Sequence, residues 1–450
     1  MAYEDYVFAN EATVPVYQAP TGGKVAANVF LGEWMKRLPC PEGQTSKRRI
    51  YVRYRGGKGW IEESKCQGER MLELYFLSVG QGDSILIQTP DDRRVLIDGG
   101  LGADAHQFIR NKYRLDKPDN FIDFDAVIAT HSDDDHTGGL IRVLNDPKIA
   151  VRRFLHNGLF PGAFERSGAR AVGLVDDPRK PSVRSRLSST MKRLADAIDF
   201  ASNNLAPAVA AMKAHGRQTK TAGRFGCRRL DRTQGLLDGF DTGEVKLEVL
   251  WPNATTEGGK LGYPWYGTSS YAETVNGNSV VLKLSHGAHS VLLTGDLNEP
   301  SMKDAAELHG ARLQAHVYKA AHHGSQKSDL GFMQLVSPHA TVISAGDDGN
   351  DKHGHPRAEL LGTVGRASGC EKPAIFVTEL ACCFRKLNPT EMRRFKASSA
   401  QLYERSIQGI ISLRSDGRRM VLGTVYGRKA SGDGEANAAW KWDWWEAQQT

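Results

Sequence analysis

A layered α/β domain preceded by a small β-barrel is the fold that this sequence predicts. From Met71 onward, apolar strand-like runs alternate with stretches of helical periodicity, the pattern of helices packed on sheets. Before about residue 66, short β-rich runs are broken by Gly and Pro turns, as in small barrels. The chain has 450 residues, too many for one ordinary core, and fits two or three structural units.

The first unit spans residues 1–66. Val14-Pro15-Val16-Tyr17 leads into the turn Ala19-Pro20-Thr21-Gly22-Gly23. Runs at Lys24–Phe30 and Arg49–Arg55 follow, then Gly56-Gly57 and Lys58-Gly59-Trp60-Ile61. These segments resemble bacterial SH3-like domains. That resemblance implies a small barrel, closed by Gly59 and Trp60, with a protein or small ligand as a possible partner.

The second unit spans residues 67–370. Leu72–Val79 and Ser84–Gln88 flank the turn Gly80-Gln81-Gly82-Asp83, and Arg94–Ile97 ends at Asp98-Gly99-Gly100. A helix over Ala103–Tyr113 precedes the strand Phe124–Ala129. A basic insertion at about 160–240, with helical character over Ser188–Lys213, interrupts the alternation. Strands resume at Val245–Leu250, Ser279–Leu284 and Ser290–Leu293. The third segment, residues 371–450, is read as an extension packing on the second unit. It carries a β-hairpin at Ser415-Asp416-Gly417 and a tryptophan-rich tail.

Composition narrows the class. Hydrophobic residues make up 40% and charged residues 25%, the balance of a soluble globular protein. No run of eighteen apolar residues occurs, so a membrane span is not expected. The start, Met-Ala-Tyr-Glu-Asp-Tyr, lacks a signal-peptide pattern, and a cytoplasmic location is the expectation. Six cysteines without a C-x-x-C pair argue against a disulfide framework or a zinc finger. The formal net charge of +7 favours a polyanionic partner only mildly, because a solvated basic face gives the same number.

The chemistry concentrates at Thr130-His131-Ser132-Asp133-Asp134-Asp135-His136-Thr137-Gly138-Gly139, directly after a strand. Imidazoles and carboxylates packed this tightly would repel or pay desolvation if left unpaired. A divalent cation removes that conflict by neutralising the carboxylates and accepting the imidazole lone pairs. Further ligand types recur at later strand exits: Leu293-Thr294-Gly295-Asp296, His322-His323-Gly324-Ser325 and Lys352-His353-Gly354-His355-Pro356. His131, Asp133, Asp135 and His136, with the ligand-type residues at these later exits, are therefore the candidate ligands.

These motifs, with Phe76 to Ser84, Leu96 to Gly100 and Asn278 to Leu282, stand in one order. Over roughly residues 71–365 the chain resembles the metallo-β-lactamase domain of ComEC-type competence proteins. The resemblance implies an αββα sandwich with metals at one edge of the paired sheets. It implies that His131 and Asp133 hold one metal and Asp135 and His136 a second. Asp296 would bridge, and His322 or His323 would complete the second site. The wider superfamily usually has His where Asp133 stands. An additional His normally completes the first site and has no clear equivalent: His156 comes early, and Asn276 or Asn278 sits nearer the expected place. The oxygen ligand shifts preference from zinc towards manganese or magnesium. Asp98 would orient a ligand.

Two such ions can activate a water at neutral pH and clamp a phosphodiester. Asp135 or Asp296 would orient the nucleophile. His353, His355 or Lys327 would serve the leaving oxygen, and Ser325 a non-bridging one. Arg184, Arg186, Lys192, Arg228 and Arg229 lie in the basic stretch that would meet a nucleic-acid backbone. The expectation is a metal-dependent phosphodiesterase or nuclease acting on DNA or RNA. Alternatives are hydrolysis of a small phosphodiester or lactone, or a metal-stabilised binding protein without catalysis.

Overall fold

The computed structural model describes residues 5–55, 57–159, 189–215, 224–257, 260–266, 271–346, 354–382, 390, 404–407, 409–426 and 441–447. Two-residue alternation builds the N-terminal unit. In Thr13–Tyr17 every second residue is buried, and Val7, Val14, Val16, Val29, Met35, Val52 and Ile61 form the shared core. The seven strands run in the order Val25–Phe30, Thr13–Tyr17, Gly57–Glu62, Arg49–Tyr54, Trp34–Arg37, Tyr6–Ala9 and Cys66–Gln67.

The expected closed barrel is instead an open sheet. Its two outermost strands each pair with a single neighbour, and the last has only two residues before the chain leaves for the next unit. Gly59 does serve tight packing. A Cβ there would lie 2.6 Å from Val16 Cγ1 and 2.8 Å from the Tyr17 carbonyl oxygen. Trp60 is buried against Tyr51, with ring centroids 5.2 Å apart, and is part of this core.

The larger unit has four layers. Its first sheet has nine strands, in the order Gly226–Arg229, Arg153–His156, Ala126–Ala129, Arg94–Ile97, Ile85–Gln88, Leu72–Phe76, Ile411–Ser415, Met420–Tyr426 and Lys441–Glu446. The second has six: Val245–Trp251, Val281–His286, His289–Leu293, Val317–Lys319, Ala340–Ile343 and Ala374–Val377. Leu74, Phe76, Ile87, Val95 and Ile128 meet Leu247, Leu282, Val291, Val317 and Val342 between the sheets. Their sequence neighbours Tyr75, Leu86, Leu96 and Val127 point the other way, onto helices Asp104–Lys112, Leu140–Leu144 and Ser189–Ala214. Helices Glu299–His309, Leu330–Val336 and Ala358–Ala367 cover the second sheet. Strands buried on both faces read as near-continuous apolar runs, which is why they stood out in the sequence.

Two segments differ from expectation in role. Ser189–Ala214, within the stretch expected as an insertion, is an outer layer of the sandwich: Met191, Leu194, Ala197, Ile198 and Ala201 pack on the first sheet. Ile411–Ser415 and Met420–Tyr426 pair around Asp416-Gly417, and Ile411–Ser415 adds directly to Leu72–Phe76, so these strands belong to the central sheet.

A histidine row marks the end of the second sheet away from Asp296. His289, His316 and His339 sit at the starts of three adjacent parallel strands, with ring centroids 5.1 and 5.2 Å apart. The Ser290 N–H donates to His316 Nδ1 at 3.3 Å, which requires that nitrogen to be unprotonated. Burial, then the neighbouring His289, His339 and Lys283, push His316 down to about 4. The folded value lies below an unfolded value of about 6.5. The contribution is therefore present above about pH 6.5 and lost as pH falls towards 4. Urea midpoints should hold from pH 8 to 6.5 and then drop. His316→Asn, which keeps an acceptor for Ser290, should shallow that drop; an unchanged profile would refute the role of this row.

Candidate metal centre

Four strand ends deliver the candidate ligands. Arg94–Ile97 runs into Asp98 and Ala126–Ala129 into Thr130-His131. In the facing sheet, His289–Leu293 runs into Asp296 and Val317–Lys319 into His322-His323. Each pair of strands is adjacent and parallel, so the four ends converge at one edge of the sandwich. The Asp133 backbone carbonyl accepts from the His136 and Thr137 N–H groups at 3.1 and 3.0 Å, starting the short helix Asp134–Thr137. Its carboxylate is directed at His131, 3.7 Å from Nε2.

Asp296 occupies the middle. Its Oδ2 lies 3.9 Å from His131 Nε2, 3.9 Å from His322 Nε2 and 3.3 Å from His323 Nε2, and its Oδ1 lies 3.3 Å from His136 Nε2. Asp135 Oδ2 is 3.3 Å from His323 Nε2 and 4.0 Å from His136 Nε2. Asp83, His136, Asp296 and His323 each offer an atom within 4.8 Å of the others.

The imidazoles are aimed by their outer nitrogens. His136 Nδ1 is 2.8 Å from Asp98 Oδ2, and the Asp98 carboxylate also accepts from the Thr130 N–H and hydroxyl at 2.8 and 2.7 Å. His131 Nδ1 lies 3.1 Å from Thr130 Oγ1 and 3.4 Å from Ser279 Oγ. His323 Nδ1 faces the Ser344 carbonyl at 3.2 Å and Asp83 Oδ1 at 3.3 Å. In all three, Nδ1 is engaged outward and Nε2 faces the centre, the arrangement by which outer partners fix histidine ligands.

Charge in this pocket is mutually dependent. Burial opposes ionisation of Asp296, but His323, His136 and His322 outweigh it and hold the carboxyl well below its ordinary range. Burial likewise opposes protonation of His136, and Asp296, Asp98 and Asp135 outweigh it and raise its pKa well above the usual histidine value. The same carboxylates raise His323 well above the usual histidine value, so His136 and His323 favour their protonated forms when no cation takes that place. His131 Nε2 is buried and makes no hydrogen bond among the described residues. An orphaned imidazole nitrogen facing carboxylates is what a divalent cation satisfies, so these residues fit a metal centre.

Strain concentrates here as well. Asp98, His322 and His323 hold left-handed backbone at φ of 56°, 49° and 53°, at a cost of about 1–2 kcal/mol per non-glycine residue. Gly82 (φ 124°) lets the loop before Asp83 touch the ligand loop, since a Cβ there would lie 2.1 Å from the Asp135 carbonyl oxygen.

Asp83 escaped the sequence reading as a site residue. Its Oδ2 bonds Lys319 Nζ, and both side chains are buried. The available signal was Lys319 itself, a lysine within the apolar run Val317 to Ala321.

Other predicted residues fall around or away from this centre. His355 is held by Gln81 Nε2 at 3.4 Å and packs near His322, with ring centroids 5.6 Å apart. Asn278 turns aside, because its amide donates to the Pro264 and Thr274 carbonyls at 2.9 and 2.8 Å. Asn276 lies closer: with its amide oriented to donate, its nitrogen is 3.1 Å from Asp133 Oδ2. The Ser325 hydroxyl accepts from the Lys327 N–H at 3.3 Å, and Lys327 Nζ pairs with Glu273 at 2.9 Å. Lys192 is exposed on the helix Ser189–Ala214. Arg228 and Arg229 pair with Asp238 and Asp231 at 3.2 and 2.9 Å, which weakens their claim on a phosphate. His353, Arg184 and Arg186 lie outside the described residues.

A two-sheet sandwich with candidate His and Asp ligands gathered at its edge is the architecture of a class of metal-dependent hydrolases. The chain belongs to the metallo-β-lactamase superfamily, whose family model matches residues 77–346. Over 311 residues it is 24% identical to ComE operon protein 3 of Bacillus subtilis (strain 168), covering 66% of this chain and 31% of that protein. Over 79 residues it is 37% identical to Competence protein ComA of Neisseria gonorrhoeae, covering 17% of this chain and 11% of that one. The chain thus spans about a third or less of these relatives. Among solved structures, Zn(2+)-bound PqqB from Methylobacterium extorquens is similar at 10% identity and a TM-score of 0.35, over 68% of this chain and 97% of that one. Among the described residues no helix is long and apolar enough to cross a membrane.

Proposed function

We propose that this chain is a two-metal phosphodiesterase acting on nucleic acid. The central position of Asp296 carries the reading: one carboxylate faces His131 on one side and His136 and His323 on the other. That arrangement suits two ions sharing a bridging ligand. His131, Asp133 and Asp296 would hold one, with Asp135, His136, His323 and Asp296 holding the other. Asp133 makes the first set rich in oxygen, which favours manganese over zinc. The metals would supply Lewis acidity and a water acidic enough to ionise near neutral pH.

The protein's own groups do the positioning. Asp98 and Thr130 fix the His136 ring. The Gln81 amide donating to His355 Nδ1 leaves the proton on Nε2, where it can serve a leaving oxygen. The likeness to two competence-named proteins supports a nucleic-acid substrate.

The test is a substrate and metal panel. Chain stripped with EDTA and reloaded with manganese, zinc or magnesium should cleave single-stranded DNA, double-stranded DNA or RNA. Hydrolysis of a lactone or of a small phosphodiester alone, with nucleic acids untouched, would overturn the reading.

A further inference from the structure

A second charged cavity lies far from the metal centre. It is a cleft of about 720 Å³ between the N-terminal sheet and the larger unit, lined by seven cations but a single carboxylate, Asp92. The deeper cations are neutralised from behind: Arg70 and Lys112 by Glu73, Arg94 by Asp92 and Asp123. The rim is not. Lys36 and Arg53 have no carboxylate partner among the described residues, and Arg114 and Lys117 share Asp116 at 3.2 and 3.6 Å.

The register of the N-terminal sheet sharpens this. Tyr6 pairs with Lys36, Lys36 with Arg53, and Arg53 with Lys58, so three cations stand side by side across adjacent antiparallel strands. Like charges directly opposite on a sheet destabilise it. Such a row persists most readily where an anion comes to sit on it. Two half-exposed aromatics adjoin the row: Tyr6 and Trp34 contact edge to face, with centroids 5.6 Å apart. Gln88 and Arg94, on the cleft wall, are at the opposite strand ends from Asp83 and Asp98, roughly 13–16 Å away along the strands.

We infer that this cleft binds the backbone of single-stranded nucleic acid, its phosphates on Lys36, Arg53, Arg114 and Lys117 and a base on Trp34 or Tyr6. A line of cations beside partly exposed aromatic rings is the chemistry that holds such strands without reading sequence. The choice of polymer rests on the nuclease reading of the metal centre; the site itself does not.

The two are separable by measuring binding in EDTA. Anisotropy of a labelled oligothymidylate of about 30 nucleotides should report binding by the full chain that weakens steeply with salt. Lys36→Glu/Arg53→Glu should weaken it by about tenfold or more and lower the log–log salt slope by roughly 1.4. Trp34→Ala should cost about fivefold or more through lost stacking. Thermal denaturation of each variant checks that it is folded. Lys246→Glu/Arg366→Glu, exposed on the second sheet and on the helix Ala358–Ala367, should bind as wild type does.

Wild-type binding by folded variants of the cleft, or no binding by the wild type, overturns the inference. So does tighter binding to phosphatidylserine vesicles than to the oligonucleotide with no effect of Trp34→Ala, which would make the cleft a membrane contact. Binding that responds to the cleft variants in a chain that never cleaves would sink the nuclease reading and leave the cleft standing. Cleavage with binding indifferent to them would do the reverse.

Discussion

Asp296→Ala should lower metal-dependent hydrolysis by about 10³-fold or more, equivalent to ~4 kcal/mol of transition-state stabilisation. Asp296 approaches all of His131, His136, His322 and His323, at 3.9, 3.3, 3.9 and 3.3 Å. Removing an outer partner of a ligand costs about 10–100-fold, and removing the carboxylate common to both halves should exceed that. Asp98→Asn is the calibrating variant: it leaves every candidate ligand but disturbs the bond that aims His136. Its loss should fall within the 10–100-fold range. Elemental analysis of reconstituted protein should show fewer ions per chain for Asp296→Ala than for wild type. Equal metal content and comparable kcat/KM in wild type and Asp296→Ala would remove Asp296 from the centre.

Glu73→Gln should destabilise the fold by about 3–5 kcal/mol, the cost of removing one member of a buried charge group. Glu73 is 1% exposed and is approached by Arg70 at 2.6 Å, Lys112 at 2.8 Å and Arg414 at 3.9 Å. Tyr75 donates to it at 2.7 Å and accepts from Lys112 and Arg414 at 2.8 and 2.6 Å. This group ties Leu72–Phe76 to the end of helix Asp104–Lys112 and to Ile411–Ser415. Gln can still hydrogen-bond but removes the charge that Lys112 and Arg414 face, while Arg70 keeps Asp92 at 3.8 Å.

The pH response follows from Lys112. Burial pushes it down to about 8, with Glu73 pulling it back up. Without Glu73 its folded value falls further below an unfolded value of about 10.4. The unfolded chain then binds the extra proton between those values, so stability of the variant rises with pH. Urea midpoints should accordingly recover in part between pH 7 and 9, and adding Lys112→Met should recover part of the loss at pH 7. A Glu73→Gln midpoint equal to wild type would show that the cluster contributes nothing.

The loops that carry the candidate ligands stood out because physics writes them locally. Strands buried on both faces must be apolar, so His131, Asp296 and His322-His323 stand out where those runs stop. Alternating strands and helices likewise announced the layered domain. The N-terminal sheet shows the limit of that reading. Its strands were visible one by one, yet closure depends on whether the first and last can meet, and Cys66–Gln67 is too short to make that pairing.

What the sequence by itself determined was the set of strands, their order and the residue types at their exits. Only the tertiary structure decided which of those residues face one another. Asp83 and Lys319 are 236 positions apart, and neither has a neighbour in sequence that betrays the pair. Asn278 and Arg229 looked eligible by type, but local carbonyls and Asp231 hold them elsewhere. The distal cleft needs Lys36 and Arg53 from one unit opposite Arg114 and Lys117 from the other. Hydrophobic periodicity is set by near neighbours, whereas charge pairing and cavity lining depend on how two sheets and an appended unit are packed.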